Sequence, residues 1–128
     1  MVKKNAAIIG IGNILMGDDG VGVMVIRELS NGDITKNATL IEGGTDFSLI
    51  LDTLMTYEYI IIVDALNLGN TPGSIYYVSF ENVLKWDETP GLSLHDINPV
   101  SILKYAHSIG AKPKGYILGI EPQDMSPK

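Results

Sequence analysis

The sequence predicts an α/β fold, a three-layer sandwich in which a twisted, mostly parallel five-stranded sheet lies between helices on both faces. Short apolar runs of strand length alternate along the chain with segments whose apolar residues recur at helical spacing. Many of the 14 glycines cluster between these segments, as expected of tight turns between strands and helices. This alternation of strands and helices is typical of a mainly parallel sheet.

The first two strands and the helix between them have clear boundaries. Residues 6–11 form a continuous, isoleucine-rich apolar run, which predicts a central strand buried on both faces. Residues 38–42 form the second strand, and Gly43-Gly44 ends it. Between the two strands, apolar residues at helical spacing predict a helix that stops at Asn31-Gly32. Its predicted buried side comprises Val21, Met24, Val25 and Leu29.

The next helix and two strands follow closely. Asp46 is the predicted N-cap of a helix. The buried stripe of that helix comprises Leu49, Ile50, Leu54 and Met55. Residues 59–63 are the most hydrophobic strand, which ends in Asp64. Turn-rich residues 67–73 lead to a fourth strand at 74–80, and so short a connection favours an antiparallel neighbour.

The last helix and strand complete the pattern. The helix begins near Pro99 and stops at Gly110. Its apolar stripe comprises Ile102, Leu103, Ala106 and Ile109. Residues 116–120 form the fifth strand. Because the length fits one ordinary domain and no linker or internal repeat interrupts it, residues 1–128 are predicted to be a single domain.

Composition narrows the class of function. The formal charge of -6 repels phosphate backbones, so nucleic acid is not an expected partner, whereas a cationic ligand is favoured. The chain has no cysteine, which excludes disulfides and thiolate ligands and fits a reducing compartment. No apolar stretch approaches the roughly 20 residues that span a bilayer. We therefore expect a cytoplasmic protein with no membrane partner.

Three polar positions are the candidates for chemistry, because function in open parallel sheets collects at the carboxyl ends of the strands. Asp19 follows the first strand, Asp64 ends the third, and His95 lies in the loop before the last long helix. Two carboxylates and an imidazole form a ligand set that suits Ni, Zn or Mn better than Cu(I). The sequence thus predicts a divalent metal site formed by Asp19, Asp64 and His95.

Each of these residues also has a simpler structural explanation. One of the adjacent aspartates is then the cap of the following helix, a role that we assign to Asp18. On this explanation Asp64 accepts N–H bonds of the turn after it, and Asp96 either orients His95 or caps the helix that follows. His107, beside an apolar helical stripe, is predicted to be a surface residue.

A nucleotide-binding turn is the main alternative function for the first loop. Gly10-x-Gly12 after a strand resembles a dinucleotide fingerprint, and Glu42 lies where an acid that binds ribose would be. Against it, Leu15 occupies the third glycine position, so the close approach of helix and strand is not expected. Asp18 and Asp19 would also repel a pyrophosphate at the helix start. A serine mechanism at Ser93 has less support, because no Gly-x-Ser-x-Gly motif is present.

Six short motifs, in this order along the chain, resemble those of the hydrogenase maturation endopeptidases, which process the large subunit of [NiFe] hydrogenases. They cover nearly the whole chain, and the first two are the most specific. The motifs are Gly10-Ile11-Gly12-Asn13-Ile14-Leu15, Asp18-Asp19-Gly20-Val21-Gly22, Glu42-Gly43-Gly44-Thr45, Val63-Asp64-Ala65, Pro72-Gly73 and Leu94-His95.

The resemblance implies a phosphorylase/hydrolase-like fold and a defined reaction. Family members remove a C-terminal peptide from the large-subunit precursor once nickel has been inserted into it. The metal-binding residues of the family fall here on Asp19, Asp64 and His95, which would ligate the Ni²⁺ carried by the precursor, with Cd²⁺ or Zn²⁺ as substitutes in vitro. Gly43, Gly44 and Thr45 are then expected to shape the substrate cleft with their backbone groups. The runner-up function is a non-catalytic Rossmann-type nucleotide- or metal-binding module.

The sequence departs from the family pattern at its C-terminal end. Family chains usually continue past the segment equivalent to Gly119-Ile120-Glu121-Pro122 into a loop and a C-terminal helix, whereas this sequence stops at Lys128. The resemblance therefore implies that either the chain is a truncated form or its last helix is absent, so that this helix is missing here. The surface it would cover is expected to be apolar and to favour self-association.

Overall fold

The five strands belong to one sheet, and all but one of its neighbouring pairs are parallel. The computed structural model describes residues 4–32, 37–86 and 98–123. The strands lie in the order β2–β1–β3–β5–β4, and only the β4–β5 pair is antiparallel. This confirms the predicted five-stranded, mostly parallel sheet with one antiparallel strand. The antiparallel partner of β4 is β5, however, and not β3, which the short connection from β3 had favoured. The strands are β1 (Lys4–Ile11), β2 (Thr39–Gly44), β3 (Tyr57–Ala65), β4 (Ile75–Ser79) and β5 (Lys114–Ile120).

Helices lie on both faces of the sheet, as predicted. They are α1 (Val21–Leu29), α2 (Phe47–Thr56), α3 (Phe80–Val83) and α4 (Pro99–Ser108), and a 3-10 helix, Gly17–Gly20, precedes α1. The 3-10 helix and the short α3 were not predicted, because neither is long enough to show an apolar period. Within the described ranges, no helix has the length and apolar character needed to cross a membrane.

Helix α1 buries a different stripe from the predicted one. Its buried residues are Gly22, Val23 and Ile26, whereas Met24 is 53% exposed. The predicted stripe was wrong because apolar residues surround this helix, so their spacing alone does not fix its rotation. Contact with the sheet fixes the rotation instead.

That contact depends on two glycines. A Cβ atom on Gly22 would lie 2.2 Å from the Val63 carbonyl oxygen, and one on Gly10 would lie 2.2 Å from the Gly22 carbonyl oxygen. Both distances are far inside van der Waals contact, so only glycine permits α1 to lie this close to β1 and β3. The expectation that Leu15 would prevent a close approach was therefore wrong.

The larger core lies on the other side, which we call the covered face. Here α2, α3 and α4 pack on the sheet, and the core includes Ile9, Ile50, Ile62, Leu54, Phe80 and Leu103. Asp46 caps α2 as predicted, accepting a hydrogen bond from the Leu49 N–H. Asn98 caps α4 in the same way, with Pro99 in its first turn. Met55 and Ile109, which were assigned to apolar stripes, are exposed.

On the side of α1, the sheet surface formed by Tyr59, Ile75, Tyr77 and Tyr116 is exposed, and we call it the open face. Tyr59 and Val63 lie on the same face of β3, because their positions differ by an even number and side chains alternate between the two faces of a strand. Val63 contacts α1, so Tyr59 is on the side of α1. Tyr116 pairs with Ile61, and the rings of Tyr116 and Tyr77 meet edge-on at 5.4 Å. Ile75 is 64% exposed and Tyr77 62% exposed. The open face is thus an aromatic surface on three neighbouring strands.

Candidate active site

The strand order creates a crevice between the carboxyl ends of β1 and β3. From β1 the chain passes through α1 to β2 on one side, whereas the strands after β3 lie on the other side. Parallel sheets bind ligands where the strand order changes direction in this way. The loop after β1 and the end of β3 are therefore the two sides of the expected site.

Asp64 lies at this crevice and is buried. It is the second-last residue of β3, is 4% exposed and accepts a hydrogen bond of 2.8 Å from the Ala65 N–H. It lines an otherwise apolar cavity together with Trp86 and Pro99. A buried carboxylate is costly unless donors or a cation meet it. The N–H bond agrees with the structural explanation for Asp64 and is compatible with a metal ligand.

The cavity beside Asp64 is also lined by Trp86 and Pro99, two described residues that flank the stretch of sequence containing His95. Trp86 is the last described residue before this segment, and Asn98 and Pro99 are the first after it. His95 itself, with Ser93 and Asp96, lies outside the described residues. His107 is exposed on α4, which confirms its prediction as a surface residue.

The backbone of Asp19 lies in the 3-10 helix on the other side of the crevice. This helix contacts β3, and α1 begins directly after it against Val63, the neighbour of Asp64. The side chain of Asp19 lies outside the described part of the structure. Among the side chains that are described, no three acidic or histidine groups are close enough to hold a metal. The ligand set Asp19, Asp64 and His95 therefore stays a prediction.

Asp18 does not have the capping role assigned to it. The N-cap of α1 is Gly20, two residues further on. The Asp18 Oδ2 atom instead accepts a hydrogen bond of 2.9 Å from the backbone N–H of Gln123, beyond the end of β5. The 3-10 helix that contains Asp18 moves the cap position of α1 along the chain to Gly20, which the sequence pattern did not reveal.

Two of the three predicted cleft residues line an open groove beside the first loop. Gly44 and Thr45 face Gly12, Asn13 and Leu15 across it. Gly44 has φ +54°, and its carbonyl accepts a hydrogen bond of 2.9 Å from the Gly12 N–H, which joins the two loops. Gly43 is buried beneath them. The backbone of this segment therefore shapes the groove.

Glu42, the candidate ribose-binding acid of the nucleotide alternative, has another partner. Its Oε1 atom forms an exposed ion pair with the Arg27 Nε atom at 3.0 Å. Arg27 belongs to α1, so the pair joins this helix to the end of β2. Two features therefore argue against a dinucleotide site. Glu42 is already paired with Arg27, and two aspartates in the 3-10 helix before α1 would repel a pyrophosphate.

Sequence reasoning missed Glu121, a buried acid at the same edge of the sheet. It is 3% exposed, and one of its carboxylate oxygens accepts hydrogen bonds from the Leu68 N–H, the Asn70 N–H and the Tyr76 hydroxyl. The Tyr76 hydroxyl and these N–H groups hold the pKa of Glu121 below its ordinary value, against the opposing effect of burial. The only sequence signal was its place directly after the last strand.

Comparison with known proteins identifies the family to which this fold belongs. Residues 23–128 match the family model for hydrogenase maturation proteases. The chain belongs to the hydrogenase maturation protease family. The matched region contains Gly43, Gly44, Thr45, Asp64 and His95, and it begins after Asp19.

Individual hydrogenase maturation proteins are similar over most of this chain. Hydrogenase expression/formation protein HupD of Bradyrhizobium diazoefficiens is 30% identical over 120 residues, 92% of this chain and 62% of that protein. A putative hydrogenase maturation protease of Methanocaldococcus jannaschii is 31% identical over 115 residues, 86% of this chain and 72% of that protein. The structure of the hydrogenase maturating endopeptidase HybD from E. coli matches with a TM-score of 0.78 and 25% identity, over 96% of this chain and 77% of that one.

The shared length is limited. This chain spans between 54% and 62% of the length of three curated HupD relatives.

Proposed function

We propose that this chain is an endopeptidase that removes the C-terminal peptide from a [NiFe] hydrogenase large-subunit precursor after nickel insertion. Membership of the hydrogenase maturation protease family supports the reaction class. The observation that carries the proposal is Asp64, a buried carboxylate at the crevice between β1 and β3, in a cavity that is also lined by Trp86 and Pro99.

Nickel is the element of the precursor that the site recognises. Asp19, Asp64 and His95 supply two oxygen ligands and one nitrogen ligand to nickel that the precursor already carries. The chain has no cysteine, so it does not compete with soft ligands of the substrate for the ion. Recognition of the loaded metal then restricts cleavage to precursors that have received it.

The groove beside the first loop receives the peptide. It is bounded by Gly44 and Thr45 on one side and by the first loop on the other. Ile14 and Leu15 are both exposed on that loop, where they offer apolar contacts to an extended segment. Backbone groups of the Gly44 region provide hydrogen bonds that do not depend on the sequence of the peptide.

Two further features belong to the proposal. The protein acts in the cytoplasm, the reducing compartment that its lack of cysteine fits. A second copy of the chain packs on the open face, because exposed tyrosines on three adjacent strands form an apolar surface of the kind that proteins use for association.

A processing assay tests the function. The substrate is a nickel-loaded large-subunit precursor, and the readout is release of its C-terminal peptide. We expect Asp19→Ala, Asp64→Asn and His95→Ala each to abolish processing while the far-UV circular dichroism spectrum remains native. The matched control is Asp52→Asn, an exposed acid on α2, which should process at the rate of the unmodified chain. Normal processing by Asp64→Asn would refute the proposal.

A further inference from the structure

The segment at the end of β5 contacts both sides of the crevice, the one that contains Asp64 and the one that contains Asp19. We call residues 120–123 the strap. The strap begins beside the end of β3, where the Leu66 N–H donates a hydrogen bond of 3.0 Å to the Ile120 carbonyl. It ends at Gln123, whose N–H donates to Asp18 in the 3-10 helix. One short piece of chain therefore lies between the segment of Asp64 and the segment of Asp19.

At its β3 side the strap is held by the Glu121 carboxylate as well as by backbone hydrogen bonds. Glu121 Oε1 accepts from the Leu68 N–H at 2.9 Å, the Asn70 N–H at 3.0 Å and the Tyr76 hydroxyl at 2.6 Å. Leu68 and Asn70 belong to the loop of residues 66–74 between β3 and β4. Three donors on one buried carboxylate oxygen satisfy a charge that would otherwise be costly in the interior. Loss of the carboxylate would leave these donors unpaired.

The backbone of Glu121 strengthens the same connection. Its N–H donates to the Ser74 carbonyl at 2.8 Å, and its carbonyl accepts from the Gly73 N–H at 2.9 Å. Both ends of the β3–β4 loop are thus fixed to the strap. The loop leaves β3 directly after Asp64 and Ala65, so its position determines how the end of this strand is presented to the crevice.

At its other side the strap reaches the 3-10 helix. The 2.9 Å bond from the Gln123 N–H ends on Asp18 Oδ2, and Asp18 is the immediate neighbour of Asp19. This contact joins residues 105 positions apart in the sequence. The 3-10 helix is short and its N-cap residue, Met16, forms no side-chain cap hydrogen bond, so an external contact contributes to the position of the helix.

We propose that the strap holds the Asp19 and Asp64 segments at one spacing, with Glu121 and Asp18 as positioning residues for the active site. Glu121 fixes the β3–β4 loop, and Asp18 transmits the position of the strap to the 3-10 helix. The consequence for metal binding rests on the proposed function, whereas the coupling of the two segments does not.

Hydrogen exchange of the whole chain, measured by mass spectrometry, tests the coupling without metal. We expect Glu121→Ala to accelerate exchange about fivefold in residues 66–74, since each of these hydrogen bonds contributes a modest net stability. We expect a similar acceleration in residues 17–20, because the freed strap no longer holds Asp18. Acceleration confined to residues 66–74 would overturn the proposal.

Matched variants separate positioning from general destabilisation. Glu121→Gln keeps an acceptor oxygen for the Leu68 and Asn70 N–H groups, so exchange should return to within about twofold of the unmodified chain. Asp18→Ala should accelerate exchange in residues 17–20 while residues 66–74 stay protected. Glu58→Ala removes an exposed acid near the start of β3 and should change exchange in neither segment.

Tyr76→Phe is the alternative variant if Glu121→Ala does not fold. It removes one hydrogen-bond donor to Glu121 and should accelerate exchange in residues 66–74 and 17–20 by a smaller factor. No change of exchange in residues 17–20 would again overturn the proposal.

Calorimetry with Ni²⁺ then tests the link to the active site. We expect Glu121→Ala to weaken Ni²⁺ binding about tenfold, as loss of supporting contacts does at other metal sites, and Glu121→Gln to restore it. Unchanged affinity in Glu121→Ala would contradict the positioning role. If the unmodified chain binds no Ni²⁺, the proposed metal site fails, and the exchange data still decide whether the strap couples the two segments.

Discussion

The two faces of the sheet differ in what covers them. On the covered face, α2, α3 and α4 enclose a continuous core in which Ile9, Ile62 and Leu103 are buried. On the other side, α1 contacts β1, β2 and β3, whereas Tyr59, Tyr77 and Tyr116 are exposed on the open face. Burial of apolar area is the main source of stability. The covered face should therefore determine stability, and the open face should contribute mainly to association.

The candidate active-site crevice lies at the carboxyl edge of the sheet, where these two faces meet. Asp64 points into the cavity of the covered face beside Pro99, whereas the groove at Gly44 and Thr45 lies beside α1. The candidate site thus has a buried acid on the covered face and an open groove on the side of α1. Substitutions on the two faces should show separately how much each face contributes to stability and to association.

The largest effect is expected in the core of the covered face. Leu103→Ala removes a side chain that is 1% exposed on α4, so it should lower the free energy of unfolding by about 2–5 kcal/mol through lost burial and a residual cavity. Urea denaturation measures this loss. Ser101→Ala, at an exposed position of the same helix, is the control and should change stability by less than about 0.5 kcal/mol. Equal effects of the two variants would contradict the distinction between the faces.

Gly22→Ala is the corresponding test on the side of α1. The added methyl group would lie 2.2 Å from the Val63 carbonyl oxygen, so α1 must shift away from β3. We expect a loss of about 1–3 kcal/mol, the usual cost of overpacking, in thermal or urea unfolding. Met24→Ala, on the exposed side of the same helix, should cost little. A larger loss for Met24→Ala would mean that the buried stripe of α1 is the one predicted from sequence.

The cap of α2 should give a smaller, local effect. Asp46→Ala removes the acceptor for the Leu49 N–H and should lower stability by about 1 kcal/mol. Asp52→Ala changes an exposed acid within the same helix and controls for loss of charge. If both variants lose the same stability, charge rather than capping is responsible.

The open face should show the smallest effect on stability. Tyr77→Thr keeps a residue that favours strands and removes one exposed ring, so the change in unfolding free energy should be below about 0.5 kcal/mol. Its effect should appear instead in self-association. Size-exclusion chromatography at low micromolar concentration should show a dimer for the unmodified chain and a monomer for this variant. A monomer in both cases would refute association through the open face.

Much of the fold was predictable because its signals are local. The apolar runs of β1 and β3 are continuous, and Asp46 and Pro99 mark helix starts within one turn. The rotation of α1 was not predictable, because it depends on contact between Gly22 and a strand some forty positions away in the sequence. Glu121 has no local pattern at all, since its partners Leu68 and Asn70 lie 53 and 51 positions earlier.

The candidate site was predictable to a more limited degree. The position of Asp64 at the carboxyl end of a central strand followed from the sequence and is confirmed. The roles of Asp19 and His95 rest on the ligand chemistry and the family resemblance and stay predictions. Asp18 was misassigned because its partner, Gln123, is brought near only by the complete sheet.

The most direct test of the central claim is calorimetric titration of the unmodified chain and of Asp64→Asn with Ni²⁺, NAD and ATP. We predict heat of binding with Ni²⁺ alone, reduced about 100-fold in affinity or lost in Asp64→Asn and retained in Asp52→Asn. Binding of NAD or ATP without binding of Ni²⁺, or undiminished Ni²⁺ affinity in Asp64→Asn, would contradict a metal-recognising site at the carboxyl edge of this sheet.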